Sequence, residues 1–243
     1  EIASCLVGSE MCIRDRVKGT PIARLSAFVN EVETHSPFRK KMLPEVSAMF
    51  TALAPYAGFG MKLVFGNLWL FGPLLKAVMP SLSAQAGAML KTTIAFTVQK
   101  GSDAYNVLPQ EAYVGANMRF IPHQGEKESL EIIKKVADKY GLETEVLHAN
   151  DYTPPVDIHG EAFHLVEQTI ADTFPGLPSS PYVMTGATDA QFYQPICKSC
   201  IRFAPVIYGP EQMKGMHGLN ENIEYNCLPG AVRFYKNLIR AEK

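Results

Sequence analysis

Near the C-terminal end, His217-Gly-Leu-Asn-Glu221 follows a loop that opens at Gly209-Pro210. An imidazole in such a place can point into a cleft, and Gly218 lets other backbone approach it closely. It can ligate a metal, but a hydrolytic zinc needs three or more protein ligands plus an open position for water. Two more segments mark the same C-terminal third: the tight turn Thr185-Gly-Ala-Thr-Asp-Ala190 and the stretch Arg202-Phe-Ala-Pro205. An Asp after a turn often orders only its own loop, so Asp189 need not touch metal. His159 and His164 do not form a ligand pair. Five residues apart, their rings stand about 140° apart around a helix, whereas a shared metal needs i,i+4. They read as a surface histidine and a helix-packing histidine.

Cys197-Lys-Ser-Cys200 has the spacing of a redox or metal motif. No second pair and no histidine at finger spacing accompanies it, which favours ordinary reduced thiols; a redox or metal role is the alternative. The 5 cysteines are too sparse and odd in number for a disulfide framework. A nucleophile elbow, a phosphate-binding glycine loop and a dinucleotide fingerprint are all absent from the sequence.

With 47% hydrophobic and 19% charged residues over 243 positions, the chain can bury a large core in one or two domains. A net charge of -1 without a basic block excludes a nucleic-acid binder. The apolar run 63–75 (LVFGNLWLFGPLL) is bounded by Lys62 and Lys76 and interrupted by Asn67 and Pro73. It falls short of the ~20 residues of a spanning helix, so no membrane-spanning segment is expected. It reads as a buried or lid helix, or else as an apolar lid surface that meets substrates or a partner.

The elements that must position these residues begin at Thr20-Pro21, a good N-cap and first helical residue. Ile22, Leu25, Phe28, Val29 and Val32 follow at helical spacing. Prolines 37, 44, 55, 73 and 80 mark the boundaries of several short helices. Strands are expected at 91–99, 111–121 and 142–148, with a helix over 126–140 ending at Gly141. Helix, strand, strand, helix, strand is five-sixths of a ferredoxin-like βαββαβ unit lacking its first strand. Past Thr153-Pro154-Pro155, a natural hinge, come a helix over 161–174, strands at 182–185 and 201–206, and a helix over 229–240. These suggest part of an α/β layer.

Residues 1–16 (EIASCLVGSEMCIRDR) show no useful periodicity and lack the basic start and cleavage site of a secretory signal. They resemble a translated sequencing adapter and read as a non-native leader. Either 2–7 fills the place of the missing strand, or the sheet edge stays open.

Eight segments run collinearly through the chain: Gly19-Thr-Pro-Ile-Ala-Arg24, Gly66-Asn-Leu-Trp-Leu-Phe71, Lys100-Gly-Ser-Asp103, Asn106-Val-Leu-Pro109, Asn117-Met-Arg119, Gly186-Ala-Thr-Asp-Ala190, Arg202-Phe203 and His217-Gly-Leu-Asn-Glu221. As an ordered set they resemble the zinc carboxypeptidase/aminoacylase/desuccinylase metallopeptidase family, most closely its Gly-Xaa carboxypeptidase and N-acyl-amino-acid hydrolase branch. The resemblance implies an α/β (α+β) fold in which a ferredoxin-like lid and dimerisation domain is inserted in a two-zinc α/β hydrolase domain. It maps the lid to 17–153 and the C-terminal part of the catalytic domain to 154–243. It implies that His217 ligates one zinc, that Asn106 and Arg119 bind the substrate carboxylate, and that Gly186 and Asp189 shape the pocket floor. The substrate would be a peptide or an N-acyl amino acid, and the lid would form a homodimer.

Two departures stand out. Ala187 replaces a second glycine of the family's turn, and Gln191 stands where arginine is usual. The family's other zinc ligands and its catalytic base would lie upstream of residue 17, and none is present. The expectation is therefore a fragment that is inactive alone and has no catalytic residue of its own. A non-catalytic lid-type module that binds a partner through 63–75 is the alternative.

Overall fold

In a computed structural model of the chain, the first long helix, α1 (Pro21–Thr34), starts as its sequence dictates. The Thr20 hydroxyl accepts from the Ala23 N–H at 3.4 Å, and Pro21 occupies the first turn, where its missing donor costs nothing. The structure describes residues 2–8, 18–82, 84–105, 107–109, 111–149, 152–184, 186 and 188–242. The chain divides into two units: 1–43 with 69–154, and 44–68 with 155–243.

The first unit carries the sheet. Its strands are β1 (Ile2–Gly8), β2 (Thr93–Lys100), β3 (Glu111–Arg119) and β4 (Glu143–Val146), ordered β2-β3-β1-β4 with every pair antiparallel. Ile2–Gly8 thus takes the first of the two alternatives. It pairs Ala3 with both Ala116 of β3 and Val146 of β4. The physical reason is the ladder: without this segment, β3 and β4 would each present a row of unmet backbone groups.

Alternation along β3 buries Ala112, Val114, Ala116 and Met118. Against them pack Leu25, Phe28 and Val32 of α1 and Ile133, Val136 and Ala137 of a later helix, Glu126–Lys139, which completes the βαββαβ pattern. A polar knot holds the rim of this core. Thr92 and Ser129 both donate to the Gln124 carbonyl, at 3.0 and 2.9 Å, and the Gln124 side chain accepts from the Arg39 N–H at 3.0 Å.

In chain order the helices after α1 are α2 (Pro44–Leu53), α3 (Phe59–Gly66), α4 (Leu68–Leu82), α5 (Ala84–Ala88) and α6 (Glu126–Lys139). There follow α7 (Glu161–Thr173), α8 (Ala190–Tyr193), α9 (Pro210–Gly215) and α10 (Leu228–Ala241). Pro44 opens α2, as expected, but Pro73 and Pro80 lie inside α4 rather than at boundaries. Burial of Leu75 and Met79 on the inner face of α4 offsets the two lost backbone bonds. The apolar run 63–75 is divided between α3 and α4 and is buried only at its end, at Leu75: Leu63, Trp69, Leu70 and Leu74 are exposed. Among the described residues no single helix is long and apolar enough to cross a membrane.

In the second unit α7 and α10 pair. Asn237 donates to the Thr173 hydroxyl at 3.0 Å, and Ala231 and Phe234 are buried beside Thr169 and Ile170. Gly230 sits where a Cβ would come within 2.9 Å of the Phe174 ring, so the close approach requires glycine. Of the strands expected at 182–185 and 201–206, residues 182–184 and 201–206 belong to no strand, and Thr185 lies outside the described residues. A strand needs a neighbour to complete its ladder, and among the described residues the sheet lies in the first unit.

Candidate functional site

Arg119 is the last residue of β3, opposite Thr93 of β2. The ladder fixes its backbone, its side chain is exposed, and among the described residues no salt bridge involves it. A guanidinium so placed offers a planar fork of donors to an anion. Asn106, its expected companion, lies outside the described residues.

Gly186 and Asp189 belong to the second unit, on the loop leading into α8. Both are exposed. Asp189 stands at the N-cap of α8, but its carboxylate accepts no capping hydrogen bond. Thr188 orders the loop in its place. Its hydroxyl accepts from the Ala190 N–H at 3.4 Å and from Arg202 Nε at 3.1 Å, across 14 residues of chain. Arg202 is in turn held by its neighbour: the Phe203 ring lies 4.9 Å from that of Phe234, which is buried on α10. The sequence signal for this brace was weak. A threonine two residues ahead of a short helix is a common capping pattern, but nothing in the spacing pairs it with Arg202.

His217 lies in the turn after α9. That helix is opened by the Gln212 side chain, which accepts from the Gly209 N–H at 3.1 Å. The turn closes with the Gly218 N–H donating to the Gly215 carbonyl at 2.9 Å. Two residues here, His217 (φ 60) and Asn220 (φ 64), adopt the left-handed conformation that side chains ordinarily avoid. The His217 ring is exposed, and among the described residues it has no hydrogen-bond partner.

The other histidines resolve differently. His159 is exposed, as expected, but His164 also faces solvent instead of packing, with Nδ1 3.1 Å from the Glu167 carboxylate one helical turn away. Polar Glu167 on the same stripe is the reason: the ion-pairing face of α7 turns outward. Among the described residues no group of three or more His, Cys, Asp or Glu side chains could hold a metal ion. One exposed imidazole does not fit the zinc that the resemblance implies, and no catalytic step through a metal is assigned to these residues.

Comparison with known proteins places this geometry in a family. Residues 15–241 match Peptidase family M20/M25/M40. A Xenopus tropicalis N-fatty-acyl-amino acid synthase/hydrolase is 32% identical over 229 residues, spanning 91% of this chain and 43% of that protein. The human protein of the same name is 31% identical over 227 residues, spanning 92% of this chain and 45% of its own length. The chain thus spans less than half the length of these relatives. In fold it is similar to a di-peptidase from Saccharomyces cerevisiae, with a TM-score of 0.62 at 13% identity over 100% of this chain and 54% of the other. It is likewise similar to a metallo-carboxypeptidase from Sulfolobus solfataricus, with a TM-score of 0.55 at 10% identity over 99% of this chain and 61% of the other. Sheet order, collinear motifs and a match across nearly the whole sequence agree: the chain belongs to the M20/M25/M40 peptidase family.

Proposed function

We propose that this chain is part of a zinc-dependent hydrolase that cleaves an amide bond next to a free carboxylate, in a C-terminal peptide bond or an N-acyl amino acid. The observation that carries this reading is Arg119: an exposed guanidinium, in no salt bridge among the described residues, held by a strand end in a member of a peptidase family. Arg119 takes the substrate carboxylate through paired N–H donors, with Asn106 adding an amide dipole. Gly186 and Asp189 shape the pocket floor, on the loop that Thr188 and Arg202 brace. His217 is one ligand of a zinc whose other ligands are not among the described residues. Residues 1–243 by themselves therefore bind zinc weakly and do not turn over an amide.

Both halves of the proposal are open to test on the purified chain. Calorimetric titration with an N-acyl amino acid is expected to show binding that Arg119→Ala abolishes, while the amide-capped analogue binds to neither form. Equal binding of the free acid and the capped analogue would remove the carboxylate role. Metal analysis after dialysis against zinc is expected to leave less than one ion per chain, with no amide hydrolysis. Stoichiometric, chelator-sensitive zinc with turnover would overturn the claim that this chain lacks a complete site.

A further inference from the structure

Cys197 and Cys200 carry chemistry that neither carboxylate recognition nor metal binding uses. The backbone brings them together. The Cys197 N–H donates to the Tyr193 carbonyl at 2.9 Å, which extends the helical winding of α8 through Cys197. The chain then reverses through Lys198 and Ser199, closed by the Ile201 N–H on the Ser199 carbonyl at 2.9 Å. This turn folds Cys200 back, so that its thiol donates to the Cys197 carbonyl at 3.2 Å. Both cysteines are free; Cys197 is exposed and Cys200 is half-buried. Burial pushes the Cys200 thiol up, and its hydrogen bond with the Cys197 side chain pushes in the same direction, against the pull of Arg202. The two thiols therefore differ in setting: Cys197 meets solvent, and Cys200 is half-buried with its thiol hydrogen on the Cys197 carbonyl.

We propose that Cys197 and Cys200 form a reversible dithiol–disulfide site whose oxidant is a low-molecular-weight disulfide. The exposed Cys197, as thiolate, attacks one sulfur of that disulfide and releases the first small thiol. Cys200 then loses its proton to solvent and attacks the Cys197 sulfur of the mixed disulfide, releasing the second. Two protein thiols are oxidised as one disulfide is reduced to two thiols; the proton that Cys197 gives up in becoming a thiolate and the proton lost by Cys200 are taken up, through solvent, by the two leaving thiolates. Closure occurs two residues from Arg202, whose bond to Thr188 braces the loop that carries Gly186 and Asp189. The site is independent of the hydrolase reading, because its readout is the state of the thiols.

The test incubates the full native chain in glutathione buffers of graded ratio, quenches with an alkylating agent and maps the cysteines by mass spectrometry. The expected product is a Cys197–Cys200 disulfide, marked by loss of two hydrogens and reversed by a dithiol. Cys227 is expected to stay reduced, since it is buried with its thiol on the Glu224 carbonyl at 2.8 Å. In Cys200→Ser the reaction is expected to stop at a mixed disulfide on Cys197. In Cys197→Ser, Cys200 is expected to react more slowly than Cys197 does in the native chain, because it is half-buried and its thiol hydrogen is held by the residue 197 carbonyl. Stable mixed disulfides on both cysteines of the native chain, or closure seen only after denaturation, would overturn the proposal. Equal reactivity of the two single variants would overturn the division of roles.

Discussion

The two units position their candidate residues by different means. In the first, β3 is paired on both sides and buried along Ala112, Val114, Ala116 and Met118, so Arg119 inherits the rigidity of a ladder. In the second, Gly186, Asp189 and His217 ride on loops, and large apolar neighbours remain in solvent: Ile196 is 83% and Leu219 94% exposed. There the order of a loop rests on single contacts, such as Arg202 on Thr188. A charge that must meet an anion in one orientation is best carried by a sheet. Groups on weakly packed loops lie at the low end of local stability and are the easier ones to move.

The sharpest way to break this contrast is to empty each environment in turn. Phe28, 1% exposed, meets Phe96 and Tyr140 edge-on, with ring centroids 5.7 and 6.4 Å away. Phe28→Ala is expected to destabilise the chain by about 3–5 kcal/mol in urea unfolding. Leu219→Ala should stay within about 0.5 kcal/mol. Comparable losses from the two substitutions would erase the distinction.

A smaller effect tests the loop turn itself. His217 at φ 60 carries a Cβ in a conformation that glycine adopts freely, so His217→Gly is expected to stabilise by about 0.5–1 kcal/mol in the same assay. A loss of stability would mean that the ring is held by packing and not merely tolerated.

The smallest effect concerns pH. Glu31 accepts from Lys139 at 2.7 Å and from the Tyr140 hydroxyl, and these hydrogen bonds, Lys139 first, hold its carboxyl below the ordinary glutamate value. A lowered folded value means that its contribution is present above the unfolded value and lost as pH falls through the folded one. Glu31→Gln should therefore flatten the acid limb of a plot of Tm against pH, and because the same carboxylate raises the Tyr140 hydroxyl it should also change the alkaline limb where that hydroxyl ionises. An unaltered acid limb would show that this surface pair does nothing measurable.

Legibility followed local strength of pattern. Helices α1, α6, α7 and α10 and strands β2, β3 and β4 stood out because each repeats its apolar residues at one period, and Thr20-Pro21 and Gly141 mark ends that any context respects. Three features were not legible. Much of the apolar run 63–75 is exposed, although composition favoured burial; hydrophobicity does not reveal which face finds a partner. Residues 182–184 and 201–206 read like strands but belong to none. The loop before α8 is ordered by Thr188, not by the Asp189 that turn chemistry favours, because Arg202 arrives from 14 residues away.

What the sequence determined by itself was the family and the ferredoxin-like order of elements. These depend on residue type and spacing along the chain, which need no partner to be read. Tertiary structure alone decided that Ile2–Gly8 completes the sheet, that Cys200 folds back on Cys197, and that His217 stands exposed, with no metal-holding group of three or more side chains among the described residues. Each of those depends on which distant backbone or side chain comes within hydrogen-bonding reach, and that is a property of the folded chain.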